Sequence, residues 1–379
     1  MSPGTPTTPL PKKVLIIGAY GTFGLRITRW LAADPAIKVI IAGRSHEKCE
    51  KLARELQSSP NLPLYHALDA HSGLAAVLER LKPEIVIHTS GPFQGQSYDV
   101  AEACIAAGCH YIDLADGRTF VSDITKLDAA AKAKNVTVIS GASSVPCLTA
   151  AVIDHYVPKF RSITGLDYGI ATSINADVGV ATTAGVLSYA GKPFTTLKDG
   201  HMQVVYGWQG LTAHNYPDIG MRLMGNCDVP DLALFPERYK GLRDVKFTAG
   251  VEVYALHLGV WLASWLVRWG RLKNLGDYAG KLMHYATYFK PLGTKQSGFH
   301  MRLSGYSHEG LEKRVTFYII AGSNDGVYIP VAAAVLCAQQ LANGGITRRG
   351  AFPCLDVITL QQYLTALADK DIRSMEEEG

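Results

Sequence analysis

The chain has no C-x-x-C pair, no long basic run and no marked charge imbalance. Its seven cysteines are scattered and odd in number. That pattern argues against a disulfide framework or a zinc site and suits reduced thiols in a cytoplasmic setting. No histidines stand at metal-ligand spacing, so no metal is expected. Thirty-seven Lys and Arg against 33 Asp and Glu give a formal charge of +4, too mild for a nucleic-acid footprint. Residues 1–11 contain four prolines and no apolar run, which excludes a signal peptide and reads as a disordered leader.

The 379 residues are 47% hydrophobic and 18% charged, enough for large cores and long enough for two domains. Val14-Leu15-Ile16-Ile17 reads as a strand buried on both faces. Gly18, Gly21 and Gly24 follow at G-x-x-G-x-x-G spacing and open a helical apolar pattern from Leu25 to Leu31. A strand, a glycine turn and a helix in that order is the context of a dinucleotide-binding fingerprint. The glycines permit a tight turn and close approach of a pyrophosphate to the unpaired N–H groups of the helix.

Strand and helix signals alternate onward: strands near 38–42, 64–68, 85–88, 110–114 and 136–140, and helices near 47–57, 74–81, 98–107, 120–134 and 148–156. This is the pattern of an α/β, doubly wound parallel sheet of the Rossmann type, expected over residues 12–150. Gly43-Arg44-Ser45 ends the second strand, where an arginine accommodates the 2′-phosphate of NADP and an acid the 2′-hydroxyl of NAD. NADP(H) is therefore the expected cofactor. The alternative for Arg44 and Ser45 is a solvated arginine followed by a helix cap. Asp69 ends the third strand, either at the adenine edge or capping the next helix. Ser90-Gly91-Pro92-Phe93 ends the fourth and is expected to border the nicotinamide or the substrate, with Phe93 alternatively a core cover. Asp113, Asp116 and Arg118 end the fifth and form the tentative catalytic set, with capping or turn roles open to the aspartates. Cys147 falls near a helix N-terminus, where a reactive thiol and a small buried one are the two readings.

These motifs resemble the saccharopine dehydrogenase-like NADP-binding family. The resemblance rests on Gly18-Ala19-Tyr20-Gly21-Thr22-Phe23-Gly24, Ala42-Gly43-Arg44, Ser90-Gly91-Pro92-Phe93 and the run Ala107-Gly108-Cys109-His110-Tyr111-Ile112-Asp113-Leu114. It implies NADP(H) on the turn, a second α+β domain for substrate and dimerisation, and hydride transfer to or from a carbon–nitrogen or carbonyl group. It also implies a chain end that returns to the first domain. Asp116-Gly117-Arg118 departs from the family pattern beside the presumed substrate, and Cys147 stands where a glycine commonly follows the proline and allows the closest backbone approach.

The second half carries no motif. An α+β substrate and oligomerisation domain is expected over 151–345, and a C-terminal helix returning to the first domain over 346–379. The sheet of the second domain suggests a homodimer. The polar, aromatic loop 206–216 is a candidate lid with His214 as a possible proton donor. The tryptophan-rich run 254–269 reads first as a buried or interface helix, with an interfacial membrane helix as the alternative. The acidic run Glu376-Glu377-Glu378 reads as solvated. Three functions follow: an NADP(H)-dependent oxidoreductase, a non-catalytic NADP(H)-binding sensor or scaffold, and a membrane-associated protein. The absence of a Tyr-x-x-x-Lys pair after the fourth strand argues against short-chain dehydrogenase chemistry.

Overall fold

The computed structural model describes residues 10–379, so most of the leader 1–11 lies outside the described residues. The N-terminal sheet contains β1 (Lys12–Ile17), β2 (Ile37–Gly43), β3 (Leu64–Ala67), β4 (Ile85–His88), β5 (His110–Asp113) and β6 (Thr137–Ser140). They run parallel in the order β3-β2-β1-β4-β5-β6, the doubly wound arrangement. Alternate residues of β1 feed opposite layers: Val14 and Ile16 pack into one core, Leu15 and Ile17 into the other. Burial on both faces is the reason the strand sequence is continuously apolar rather than alternating.

The second domain is built on β7 (Ser162–Thr172), with a separate hairpin of β8 (Pro193–Lys198) and β9 (His201–Tyr206). Its main sheet adds β10 (Thr212–Tyr216), β11 (Gly220–Asn226), β12 (Asp244–Val251), β13 (Ser297–Tyr306) and β14 (Glu312–Ala321). Only β12 and β7 are parallel to each other in this mixed sheet, as an α+β domain requires.

Two chain segments depart from the expected boundaries. The helix Tyr328–Asn343, expected within the second domain, packs on the N-terminal helix Thr22–Ala32, with the Trp30 and Tyr328 rings 6.2 Å apart. By length and composition Asp325–Asn343 could cross a membrane, yet Val331 to Val335 are fully buried in the N-terminal core. The chain then adds a seventh parallel strand, β15 (Gly350–Pro353), beside β6. The return is thus a strand as well as the helix Leu360–Ala366.

The acidic run is exposed to solvent, as expected, but it is not a loose tail. It forms β16 (Ile372–Glu378), antiparallel to β14 at the edge of the second sheet. Glu376 accepts hydrogen bonds from the Tyr156 hydroxyl and the Lys159 ammonium, both at 2.7 Å. Partners distant in sequence turn a charged segment into a strand.

Of the expected lid 206–216, Trp208 lines the interdomain cavity but the remainder does not. Residues 212–216 form β10, and β11 pairs with β12 only at Gly225 and Asn226. The far end of this hairpin turns over the main sheet, where the His214 ring stacks on His300 at 3.6 Å. The Tyr216 hydroxyl lies 2.8 Å from His300 Nδ1. His214 is spent on packing a sheet face, away from the carboxyl ends of the parallel strands.

Candidate active site

Beyond those carboxyl ends lies a cavity of about 1480 Å³ between the two domains. That is larger than a pocket for one small molecule, typically ~300–1,000 Å³.

The glycine turn forms one end. Gly18 has φ +82°, and a Cβ there would meet the Thr89 and Ser90 hydroxyls at 2.7 and 2.8 Å. A Cβ on Gly24 would overlap the Gly18 carbonyl, so the helix start is pressed directly onto the strand end. Gly21 caps the helix with no side chain, and its amide is spent on the Gly18 carbonyl at 2.8 Å. The amides of Thr22, Phe23 and Gly24 have no backbone acceptor among the described residues, and no acid stands in the first helical turn. Three free N–H groups at a positive helix end form an anion cradle. The residues fit a dinucleotide pyrophosphate.

The adenosine end is defined by Tyr20, Gly43, Arg44 and Asp69, all lining the cavity. Tyr20 lies over Gly43, where a Cβ would collide with its ring, and its hydroxyl accepts from the Ser45 amide at 2.9 Å. Arg44 is exposed and makes no ion pair or hydrogen bond among the described residues. Ser45 is turned away as the cap of the helix His46–Glu55, accepting from the Lys48 amide at 3.3 Å. Asp69 does not cap a helix, since Gly73 holds that position. Its carboxylate instead accepts from the His71 amide at 3.1 Å.

At the middle of the cavity stand Ser90, Gly91, Pro92 and Phe93. Phe93 is only 5% exposed and is wedged between His88 and Phe120, with ring centroids 5.2 and 5.4 Å away. It is a fixed wall, both core cover and cavity lining.

Of the tentative catalytic set, only Asp116 reaches the cavity. Asp113 is fully buried, and its Oδ1 accepts from the Ala115 amide, the Ser140 hydroxyl and the Gly141 amide at 2.8–2.9 Å. It ties the ends of β5 and β6 together. Burial pushes its carboxyl up to about 6 despite those hydrogen bonds. Arg118 is a crossbrace: it pairs with Asp228 and donates twice to the Thr195 carbonyl at 2.9 Å. It thereby fastens the first domain to the second. Cys147 is buried away from the cavity, in a cluster with Cys337 and Cys354, whose sulfurs lie 3.8 Å apart. A hydrogen bond with Cys354 lowers its thiol and burial raises it, leaving it above the ordinary value. The reactive-thiol reading fails because the thiol itself is enclosed in the core, although Ser143, Ser144 and Leu148 beside it line the cavity.

Asp116 accepts from the Gln94 amide at 2.9 Å, and burial raises its carboxyl above the usual range against that hydrogen bond. Tyr189 and Asp228 of the second domain line the same region. Burial, then the Asp116 and Asp228 carboxylates, push the Tyr189 phenol up. Gln94, Tyr189 and Asp228 escaped the sequence reading. Gln94 follows Phe93 directly and was within reach of the strand-end rule. Tyr189 and Asp228 had no such signal. The loop 175–180 also closes on the turn, since a Cβ on Gly179 would lie 2.8 Å from the Thr22 hydroxyl.

Residues 14–139 match the family model described as the saccharopine dehydrogenase NADP binding domain. That match spans about a third of the chain, all of it within the N-terminal domain. The chain is 27% identical over 146 residues to a "Putative trans-acting enoyl reductase" of Mycobacterium tuberculosis strain H37Rv, and equally to that of strain CDC 1551. Each match spans 37% of this chain and 34% of the relative, so about a third of the curated relatives' length is matched. The L-Glu-forming saccharopine dehydrogenase of Saccharomyces cerevisiae superposes with a TM-score of 0.66, covering 97% of this chain and 100% of that one at 13% identity. The parallel-sheet domain and the mixed-sheet domain after it therefore share the fold of that enzyme.

Proposed function

We propose that the protein is an NADP(H)-dependent oxidoreductase that transfers hydride to or from a carbon–nitrogen or carbonyl group. One observation carries this reading: the anion cradle at 22–24, the unpaired Arg44 and the half-buried acid Asp116 all line one cavity between two domains. Gly18, Gly21 and Gly24, with the amides of Thr22 and Phe23, would hold the pyrophosphate. Arg44 would take the 2′-phosphate through its planar donor fork. Tyr20 and Gly43 would flank the ribose and Asp69 the adenine edge. Ser90, Gly91, Pro92 and Phe93 would border the nicotinamide. NADPH supplies a hydride when bound.

Asp116 would move the proton that accompanies that hydride. A carboxyl raised by burial holds a proton at higher pH than a free one, and the Gln94 amide fixes its orientation. The loop 175–180 would limit water access from the second domain. Seven free, buried cysteines support a cytoplasmic, reducing setting. A homodimer remains part of this reading, and a sedimentation mass equal to one chain would reject it.

The decisive assay follows NADPH oxidation against imines, aldehydes and ketones, with enoyl thioesters added because of the mycobacterial relatives' name. Turnover that requires Asp116 supports the reading. Tight NADPH binding without turnover on any of them would favour the sensor alternative.

A further inference from the structure

The helix Tyr254–Arg268 reads from its sequence as a buried or interface helix; in the fold only His257, Ser264 and Val267 are buried. Its outer side presents Leu258, Leu262 and Leu266 at 38%, 60% and 41% exposure, one per turn. Beside that ridge runs a ladder of indoles. Trp261 and Trp265 have ring centroids 6.2 Å apart, Trp265 and Trp269 5.7 Å, and Trp269 is 62% exposed. The helix Ala279–Ala286 packs alongside, through Ala279 and Leu282, and leads into a stretch exposing Tyr285 and Tyr288 at 61% and 70%. A contiguous apolar face of this kind is rare on a soluble monomer and marks an interaction site.

The charges around it identify the occupant. Residues 253–295 contain six Lys and Arg and a single acid, Asp277, a net +5 against +4 for the entire chain. Asp277 is occupied by the Asn274 amide at 2.8 Å. Arg271, Lys273 and Lys281 are exposed. A second copy docking through the same face would oppose two such cationic segments. Leucine ridges with flanking tryptophans, tyrosines and cations match instead the boundary of an anionic bilayer, where aromatic rings sit at the headgroups and cations meet lipid phosphates.

We propose that the segment 254–292 docks the protein on an anionic lipid surface, with Leu258, Leu262, Leu266 and Trp269 inserted into the headgroup–acyl boundary. The inner side of the same helix, at Leu256, Gly259, Val260 and Ala263, lines the interdomain cavity. One helix thus separates the cavity from the lipid. The docking is independent of the proposed reaction, since it requires neither cofactor nor turnover.

The test uses the full chain and phosphatidylcholine vesicles with and without phosphatidylserine, read by co-sedimentation and tryptophan emission. Binding to the anionic vesicles with a blue shift is expected, and weaker binding to the neutral ones. Leu262→Glu should lower partitioning about tenfold or more, because one leucine's burial is lost. Arg271→Glu with Lys281→Glu should remove the preference for phosphatidylserine, about tenfold or more at low salt. Neither variant touches the cavity, so thermal midpoint and NADPH affinity should match the parent. No binding to either vesicle, or binding that Leu262→Glu leaves unchanged, would overturn the proposal. So would a parent dimer that Leu262→Glu converts to monomer, since a second copy would then be the occupant.

Discussion

Replacing Gly24 by alanine tests the cradle through a single methyl group. In an ordinary helix the change would gain ~1 kcal/mol of helix propensity. Here the added Cβ would overlap the Gly18 carbonyl and lie 2.9 Å from the Thr89 hydroxyl. Neither neighbour is free to yield. The Gly18 carbonyl accepts from the Gly21 amide at 2.8 Å, and the Thr89 hydroxyl donates to the Ile17 carbonyl at 2.8 Å. Relief requires the helix start to move off the end of β1, an overpacking cost of ~1–3 kcal/mol. The net expectation is a stability loss of up to ~2 kcal/mol and, because the cradle amides move with the helix, at least about tenfold weaker NADPH binding. Urea unfolding and NADPH fluorescence titration read the two effects separately. Gly259→Ala gives the contrast. It lies within the helix Tyr254–Arg268 with nothing within 4 Å of its built Cβ, and should gain ~1 kcal/mol. A Gly24→Ala protein as stable as the parent, with undiminished NADPH affinity, would refute the geometry of the turn.

Other consequences follow from the two aspartates and the crossbrace. Asp116→Asn should keep NADPH affinity within about twofold but lower kcat by ~10²–10⁴, the usual range for a lost acid–base group, and remove one limb of the pH–rate profile. An unchanged profile would exclude Asp116 as the proton carrier. Asp113 has its carboxyl raised to about 6, so the folded state binds a proton more tightly than the unfolded chain. Its contribution is therefore most favourable below the unfolded value and is lost as pH rises through about 6. Asp113→Asn keeps an oxygen for the three donors and cannot ionise. The stability of parent minus variant should fall between pH 4 and 7, and a difference that rises would contradict the assignment. Arg118→Ala should destabilise by ~3–5 kcal/mol, because it leaves Asp228 buried without its partner. A urea midpoint unchanged from the parent would deny the crossbrace.

The first domain was legible because its strands are buried on both faces. The runs at 14–17, 38–42 and 85–88 could hardly belong to any other kind of sheet. The strand ends that line the cavity followed from that topology. What a strand-end residue faces did not. Asp113 looked as available as Asp116, but Ser140 and Gly141 from the next strand take its oxygen. Cys147 looked like a thiol at a helix start, but Cys337 and Cys354 of the returning chain enclose it. β15 is four residues ending in proline, with its partner β6 some two hundred positions earlier, too short a pattern to read alone. Three of the seven residues of β16 are glutamate, and it becomes a strand only through β14 and Lys159. For 254–268, apolar content announced a helix, but composition alone cannot distinguish a helix sunk in a core from one whose leucines face outward.

The central claim is that the turn holds NADP(H), with Arg44 reading the 2′-phosphate. The direct measurement is equilibrium binding of NADPH and NADH to the parent and to Arg44→Asp. Charge-assisted hydrogen bonds contribute ~1.5–3 kcal/mol, so the parent should prefer NADPH by at least about tenfold. Arg44 is exposed and unpaired, so its loss should leave the thermal midpoint unchanged. The variant should lose NADPH affinity while NADH binding changes little. Equal affinity of the parent for both nucleotides, or equal losses in the variant, would contradict the account.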